Sequence, residues 1–304
     1  MKKVKAGIVQ ATPVIFDIQH TVDKVISLIK EGAQRGCKLL IFPESFIPGY
    51  PRGLSFDTVV GRRGKAGREL WQLFYENSIE VGDQYCQQIS IAVKEADVFV
   101  VLGVTEKDPI NGTLYCSILF FDETGTIIGK HRKLKPTGTE RILWGEGDGS
   151  TLKVLDTSFG ILGGLICWEN LMPLARMTLY QQGVQIYVAP TADSRDTWLS
   201  TLIHIACEGR CYVIGCNQFV TKSDYPDHLQ KEIETEPDIM CRGGSAVISP
   251  LGEVLAGPVY DEETIITVEL DLDEVSKSKF DFDVIGHYAR EDVFDFSWRK
   301  GTDI

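Results

Sequence analysis

A carboxylate, an ammonium and a thiol each follow an apolar, strand-like run in this sequence. The runs end as Leu39-Leu40-Ile41-Phe42-Pro43-Glu44, His131-Arg132-Lys133 and Gly164-Leu165-Ile166-Cys167-Trp168-Glu169-Asn170. These are the parts of a nucleophilic cysteine site: a thiol to attack, a base to take its proton, and a positive group to hold the charge that develops in the transition state. Each residue has an ordinary explanation by itself, as a packed Cys, a helix-capping Glu or a solvated Lys. Together at strand ends, where an α/β fold presents its site, they point to covalent catalysis.

Such groups need rigid elements behind them. Val4 to Thr12 reads as a buried strand, and Ile18, Val22, Val25, Ile26 and Ile29 then recur at helical spacing before the run that ends at Glu44, which makes a βαβ unit. Helical patterning follows around Leu70, Phe74 and Ile79 and from Tyr85 to Ala96. Strands are predicted at Val98 to Thr105, Tyr115 to Phe121 and Thr126 to Gly129, with Asn111-Gly112 and Glu123-Thr124-Gly125 as turns. The second half alternates likewise: a strand to Cys167, a helix over Leu171 to Gln182, a strand at Gln185 to Ala189, a helix over Trp198 to Glu208, then strands at Cys211 to Phe219, Gly244 to Ser249 and Thr264 to Leu270. Two βα-rich halves joined by antiparallel pairs predict two mixed sheets packed face to face with helices outside. The chain divides into one catalytic domain over residues 1–275 and an aromatic-rich tail over 276–304, expected to lie on the body or on a neighbouring subunit.

Composition narrows the chemistry. A chain of 304 residues with 43% apolar content can bury a large core, and no apolar run reaches the roughly 20 residues that span a bilayer. The start, Met1-Lys2-Lys3, runs into Gln10, Pro13 and Asp17 instead of a signal-type stretch, so the expected location is cytoplasmic, without a membrane partner. A net charge of −12 disfavours nucleic acid as a partner. Eight cysteines without a CxxC pair read as reduced thiols. Cys207, Cys211 and Cys216 have only His204 nearby, so neither a metal nor another cofactor is implied.

The motifs in chain order resemble the nitrilase superfamily, and specifically its true nitrilase branch of plant-type and bacterial enzymes. They are Phe42-Pro43-Glu44, Pro48-Gly49-Tyr50-Pro51-Arg52-Gly53, His131-Arg132-Lys133-Leu134-Lys135-Pro136-Thr137, Glu140-Arg141, Trp144-Gly145-Glu146-Gly147-Asp148-Gly149, Cys167-Trp168-Glu169-Asn170, Ala189-Pro190-Thr191-Ala192-Asp193, His204-Ile205-Ala206 with Glu208-Gly209, and Gly286-His287-Tyr288. The resemblance implies a four-layer α-β-β-α sandwich that pairs into a homodimer or higher homo-oligomer. It also implies a catalytic set of Glu44, Lys133 and Cys167, with Glu140 as a second glutamate of the site. Tyr50, His131, Trp168, Glu169, Pro190 and Thr191 are the candidate substrate-binding positions. Trp168 is expected in the pocket wall, Glu169 either in the first turn of the following helix or in the pocket, and His131 in orienting the Lys133 loop.

With those residues, the expected reaction is hydrolysis of a small-molecule nitrile by water to a carboxylic acid and ammonia, through a thioimidate and an acyl-enzyme. Cys167 would need either its pKa lowered by Lys133 or its proton removed by Glu44. Glu140 is expected to position Lys133, substrate or water, the alternative being a surface pair with Arg141. An amidase or carbamoylase using the same site, or partial hydration to the amide, is the nearest alternative. A papain-like pairing of Cys167 with a histidine lacks a signature, and a non-catalytic scaffold conflicts with the intact Glu44, Lys133 and Cys167. Two positions depart from the branch: Asp57 replaces its usual glycine in a loop expected to border the substrate entrance, and Glu291 stands where a proline is usual. Trp144, Trp168, Tyr187 and Trp198 are candidates for an aromatic pocket lining or for core.

Overall fold

The computed structural model describes residues 3–300. The first half runs β1 (Lys3–Gln10), α1 (Ile18–Gln34), β2 (Leu39–Ile41), α2 (Lys65–Glu76), β3 (Ile79–Glu80), α3 (Gln84–Ala96), β4 (Phe99–Lys107), β5 (Leu114–Phe121) and β6 (Ile127–Arg132). The second half runs β7 (Leu155–Thr157), β8 (Gly160–Gly164), α4 (Pro173–Gln181), β9 (Ile186–Thr191), α5 (Thr197–Gly209), β10 (Tyr212–Asn217), β11 (Phe219–Thr221), β12 (Ile239–Ile248), β13 (Val254–Tyr260), β14 (Thr264–Asp271) and α6 (Asp273–Ser278).

Strand periodicity sorts the apolar side chains into layers. Successive residues of a strand point to opposite faces. Thus Leu39 and Ile41 join a central core with Val4, Ala6, Ile8, Phe99 and Val101, whereas Leu40, Val9, Val100 and Leu102 face the other way. On that outer face, the apolar stripes of α1 (Ile18, Val22, Val25, Ile29) and α3 (Cys86, Ile89, Val93) close the first sheet. The second sheet repeats the logic. Leu162, Ile186, Val188, Tyr212 and Ile214 enter the same central core, while Leu165, Tyr187, Ala189, Cys211 and Val213 meet Leu179 of α4 and Trp198, Leu202, Ile205 and Ala206 of α5. The result is a four-layer α-β-β-α sandwich with three apolar interfaces. Each fully buried Leu, Ile, Val or Phe in them contributes about 1.5–3 kcal/mol.

Both sheets are mixed. The first has the order β14-β1-β2-β4-β5-β6 with β3 on β4, and the second β11-β12-β10-β9-β8-β7 with β13 on β12. In each, three neighbouring parallel strands (β1, β2, β4 and β8, β9, β10) are flanked by antiparallel partners. The strand ends after β2, β8 and β9 therefore recur at equivalent places in two packed sheets, as an α/β site requires.

Several sequence expectations need correction. Ile79, read as a continuation of the helix through Leu70 and Phe74, lies in β3 paired with Glu106. The helix stops earlier because the Asn77 side-chain amide and the Ser78 hydroxyl donate to Leu73 O and Phe74 O at 2.9 and 2.7 Å, capping its last carbonyls, while the Ser78 N–H turns to Tyr75 O at 3.1 Å. β12 begins five residues before the predicted strand, and β13 was not anticipated, its residues being half-exposed with Gly257-Pro258 in mid-strand.

Candidate active site

Glu44 lies three residues beyond β2, on backbone that still follows the sheet through the Phe42 N–H to Val101 O bond of 2.8 Å. Glycine is required beneath it: a Cβ on Gly103 would stand 2.0 Å from the Pro43 carbonyl oxygen and 2.8 Å from Glu44 Cα. Lys133 extends β6, its N–H donating to Cys116 O at 2.8 Å. Cys167 follows β8 and adopts a left-handed backbone, φ 51°, which is uncommon for a residue with a Cβ and is a form of strain found at functional sites. Here too a glycine admits the neighbouring strand, since a Cβ on Gly164 would come 2.0 Å from Val188 O.

These ends bring the predicted groups together. Lys133 is fully buried, and its Nζ donates to Glu44 Oε1 at 2.7 Å and Glu140 Oε2 at 2.8 Å. Glu44 also accepts the Ala192 N–H on Oε2 at 2.9 Å and the Cys116 thiol on Oε1 at 3.5 Å. Glu140 accepts the Tyr50 hydroxyl at 2.7 Å and the Thr137 N–H at 2.6 Å. Its carboxylate thus faces inward, whereas Arg141 donates to Pro136 O, so the surface pair considered from sequence does not form. The Thr191 hydroxyl donates to Cys167 Sγ at 3.1 Å. Cys167, Tyr50, Arg52, Thr137, Glu140, Trp168, Ala192, Asp193, Ser194 and Arg195 line a cavity of about 210 Å³.

Burial and charge set the protonation states. Burial alone would lower the pKa of Lys133, but Glu44, followed by the thiols and Glu140, outweighs it and holds the ammonium well above its ordinary value. Burial raises the pKa of Glu44, partly offset by Lys133 and reinforced by Glu140. Burial, and then the Glu44 charge, push the Cys167 thiol up to about 12 against the pull of Lys133. Of the two routes left open by the sequence, a thiolate standing ready beside Lys133 is therefore disfavoured. The resting site holds a neutral thiol and a charged lysine.

A family model for carbon-nitrogen hydrolases matches residues 5–280. The chain belongs to the carbon-nitrogen hydrolase family. Its place in the nitrilase branch follows from its relatives. It is 48% identical to an aliphatic nitrilase of Sinorhizobium fredii, over 97% of this chain and 95% of that one, and 46% identical to an arylacetonitrilase of Trametes versicolor, over 98% and 97%. A bifunctional nitrilase/nitrile hydratase of Nicotiana tabacum is 47% identical over 95% and 84%. Crystal structures of a Saccharomyces cerevisiae member of the nitrilase superfamily (TM-score 0.75, 21% identity, 94% of this chain and 97% of that one) and of a Helicobacter pylori carbon-nitrogen hydrolase (0.76, 20%, 95% and 96%) share the fold.

In this carbon-nitrogen hydrolase, not every candidate pocket residue reaches the cavity. Trp168 and Tyr50 line it. His131 and Glu169 are buried away from it and face each other, with His131 Nε2 2.9 Å from Glu169 Oε2. Glu169 has no spare capacity for substrate, because it also accepts the N–H groups of Leu134 and Ile166, both at 2.8 Å. It thereby ties the residue after Lys133 to the residue before Cys167. Pro190 is buried within β9 and is not among the cavity-lining residues, and Thr191 meets the site only through its hydroxyl. Of the four aromatic candidates, Trp144, Tyr187 and Trp198 are core and only Trp168 lines the cavity.

Sequence reasoning missed the supports. Asn170 Nδ2 donates to the carbonyls of Leu165 and Cys167 at 2.9 and 2.8 Å, its Oδ1 accepts the Tyr187 hydroxyl at 2.7 Å, and Arg176, paired with Glu208, donates to its carbonyl at 2.8 Å. This network fixes the left-handed turn at Cys167. Cys116 and the Ala192 N–H, both on Glu44, were likewise unforeseen. The alternation along the strand, which sets Cys116 on the central-core face and Ser117 on the other, was the only available signal for Cys116, and a backbone donor leaves none. A larger cavity of about 460 Å³, between α2 and residues 228–232, contains Asp57 but none of the cluster.

Proposed function

We propose that this enzyme is a nitrilase that converts an organic nitrile and two waters to a carboxylic acid and ammonia, with Glu44, Lys133 and Cys167 as its catalytic residues and Glu140 positioning Lys133. The observation that carries the reading is the convergence of a buried Glu–Lys–Glu cluster and a strained cysteine on one cavity, in a chain nearly half identical to proteins named nitrilases. Because the resting thiol is protonated, Glu44 takes its proton as Sγ bonds to the nitrile carbon. The electron pair of the broken C–N π bond goes to nitrogen, where the Lys133 ammonium stabilises the charge before a proton arrives. Water delivered by Glu44 adds to the thioimidate, ammonia leaves, and a second water cleaves the resulting thioester. Release of the amide from the tetrahedral intermediate is the second reading, favoured by the bifunctional name of the tobacco relative.

The same reading takes residues 1–275 as one catalytic domain and 276–304 as a tail. Val284 and Ile285 pack against the α4–α5 layer, while Phe280, Tyr288, Val293 and Phe294 are exposed and available to a second copy of the chain. Residues 1, 2 and 301–304 of those spans lie outside the described residues. We take the enzyme to be a homodimer or higher homo-oligomer, which light scattering tests. Among the described residues no helix is long and apolar enough to cross a membrane, and all eight cysteines are free, in keeping with a reducing, cytoplasmic setting.

The deciding experiment measures ammonia, acid and amide from a panel of nitriles and the matching amides, with intact mass for an adduct on Cys167. Acid and ammonia from nitriles, with the adduct lost in Cys167→Ala, are expected. Turnover confined to amides overturns the nitrile assignment.

A further inference from the structure

We infer that the substrate of this site carries an anionic group, a carboxylate, at the end remote from its nitrile, and that Arg52 binds it. The inference rests on the nitrilase reading of the site and names its substrate class.

The assignment rests on a guanidinium that faces a small cavity without a carboxylate partner among the described residues. Two guanidiniums, Arg52 and Arg195, line the space in front of Cys167, and the buried Lys133 ammonium sits against Glu140, which lines it too. Lys133 is engaged by Glu44 and Glu140. Arg195 is engaged by Asp193, with Nε 2.8 Å from Oδ1 and Nη2 2.5 Å from Oδ2. Arg52 has no carboxylate partner among the described residues. Its Nη2 donates to the Ala192 carbonyl and its guanidinium lies 5.5 Å from the Tyr50 ring centroid, which leaves Nε and Nη1 without an acceptor among the described residues. A half-buried guanidinium facing a cavity gains most from a carboxylate that meets its planar fork.

The backbone around Arg52 holds it in that attitude. The Tyr225 hydroxyl donates to Arg52 O at 2.8 Å, and the carbonyl that receives Nη2 belongs to Ala192, whose N–H binds Glu44. Arg52 is therefore registered to the base through a single residue. Trp168 is pinned on the same cavity by its own bond to Asp193 Oδ2 at 2.8 Å. At about 30 Å³ per water, the 210 Å³ cavity has room for roughly seven waters, which suits a short nitrile with its carboxylate a few bonds from the reacting carbon.

The test compares kcat/KM for a short ω-cyano carboxylate with that for its methyl ester, in the wild type and in Arg52→Gln and Arg52→Lys. The expected result is a preference for the carboxylate that falls roughly 10- to 100-fold in Arg52→Gln, the loss of a charged hydrogen-bonding pair, and less in Arg52→Lys. Equal loss on both substrates, or a wild type that favours the ester, overturns the assignment. A second measurement is independent of nitrile turnover: the ratio of Cys167 alkylation rates by iodoacetate and iodoacetamide, followed by peptide mass. A ratio that drops in Arg52→Gln supports the anion site even if no nitrile is hydrolysed, and a ratio unchanged by the substitution overturns it. Hydrolysis of neither nitrile by the wild type counts against the nitrilase reading alone.

Discussion

Two buried acid–base clusters hang from the same strand end, His131 with Glu169 and Lys133 with Glu44 and Glu140. Both pair a glutamate with a basic group, and both exclude solvent almost completely. They differ in what remains unused. Glu169 accepts two backbone N–H groups besides His131, and every contact it makes serves the chain itself. Glu140 lines a cavity that also holds a strained thiol, and Lys133 joins it to Glu44. Buried charge by itself therefore does not distinguish a reacting group from a structural tie. Access to a space where another molecule can stand does.

Breaking the open cluster should have the largest effect. Glu44→Gln keeps the shape and removes the base, and Lys133→Ala removes the positive charge; each is expected to lower kcat by about 10² to 10⁴-fold, the usual worth of a general base or an electrostatic stabiliser. Lys133→Ala should in addition destabilise the fold by about 3–5 kcal/mol, because two buried carboxylates lose their partner, so Glu44→Gln is the cleaner test. Near-normal kcat in a folded Glu44→Gln would sink the assignment.

The pH profile sharpens the contrast. Burial raises the Glu44 pKa, so the base is lost as pH falls through a value above the ordinary carboxylate range, and the acid limb of kcat/KM should sit there. Lys133, held well above its ordinary 10.5, stays charged and imposes no alkaline limb below that value. The Cys116 thiol lowers the Glu44 pKa by donating to it, so Cys116→Ala should move the acid limb to higher pH. A limb that stays in place would separate it from Glu44.

Glu169→Gln tests the closed cluster. The expected loss is about 1–3 kcal/mol of stability, from buried donors left poorly matched, read as a lower denaturant midpoint. The loss in kcat should be about tenfold, well short of that for Glu44→Gln. If Glu169→Gln instead matched Glu44→Gln in kcat with its midpoint unchanged, the two clusters would have to exchange roles.

Which parts of this arrangement the sequence could disclose follows from their range. The alternation in β1, β2, β4, β8, β9 and β10 and the stripes of α1, α3 and α5 are local, and they expose both the sandwich and the strand ends that carry Glu44, Lys133 and Cys167. The meeting of those ends is not local, and its recognition depended on motif resemblance. His131 was a candidate both for the pocket and for orienting the Lys133 loop, and Glu169 both for the pocket and for a helix first turn; only the Leu134 and Ile166 N–H groups reveal that the carboxylate is fully occupied. Arg52 was visible as part of a motif, but the absence of a carboxylate beside it is a fact of tertiary structure. β13 was missed because an edge strand with little burial carries a weak pattern.

The smallest effect is expected at Asp57, where the chain departs from its branch. Its backbone is left-handed, φ 49°, a conformation in which glycine is natural and Asp is among the better-tolerated alternatives. Its carboxylate pairs with Arg62 at 2.7 Å, an ion pair at least partly exposed on both sides and worth at most about 1 kcal/mol. In Asp57→Gly the relieved backbone offsets the lost pair and the greater freedom of the unfolded chain, so stability should change by no more than about 1 kcal/mol, or about 3 °C in Tm. The sequence suggested that this position borders the substrate entrance, yet the side chain lines the cavities beside α2 rather than the one at Cys167. Relative rates across a nitrile panel should therefore change less than about twofold, within the small effects usual for surface substitutions. Since Tyr50 and Ser55 of the same loop share a further cavity with Glu140, a larger change in the profile would mean that the loop transmits its own conformation to the site.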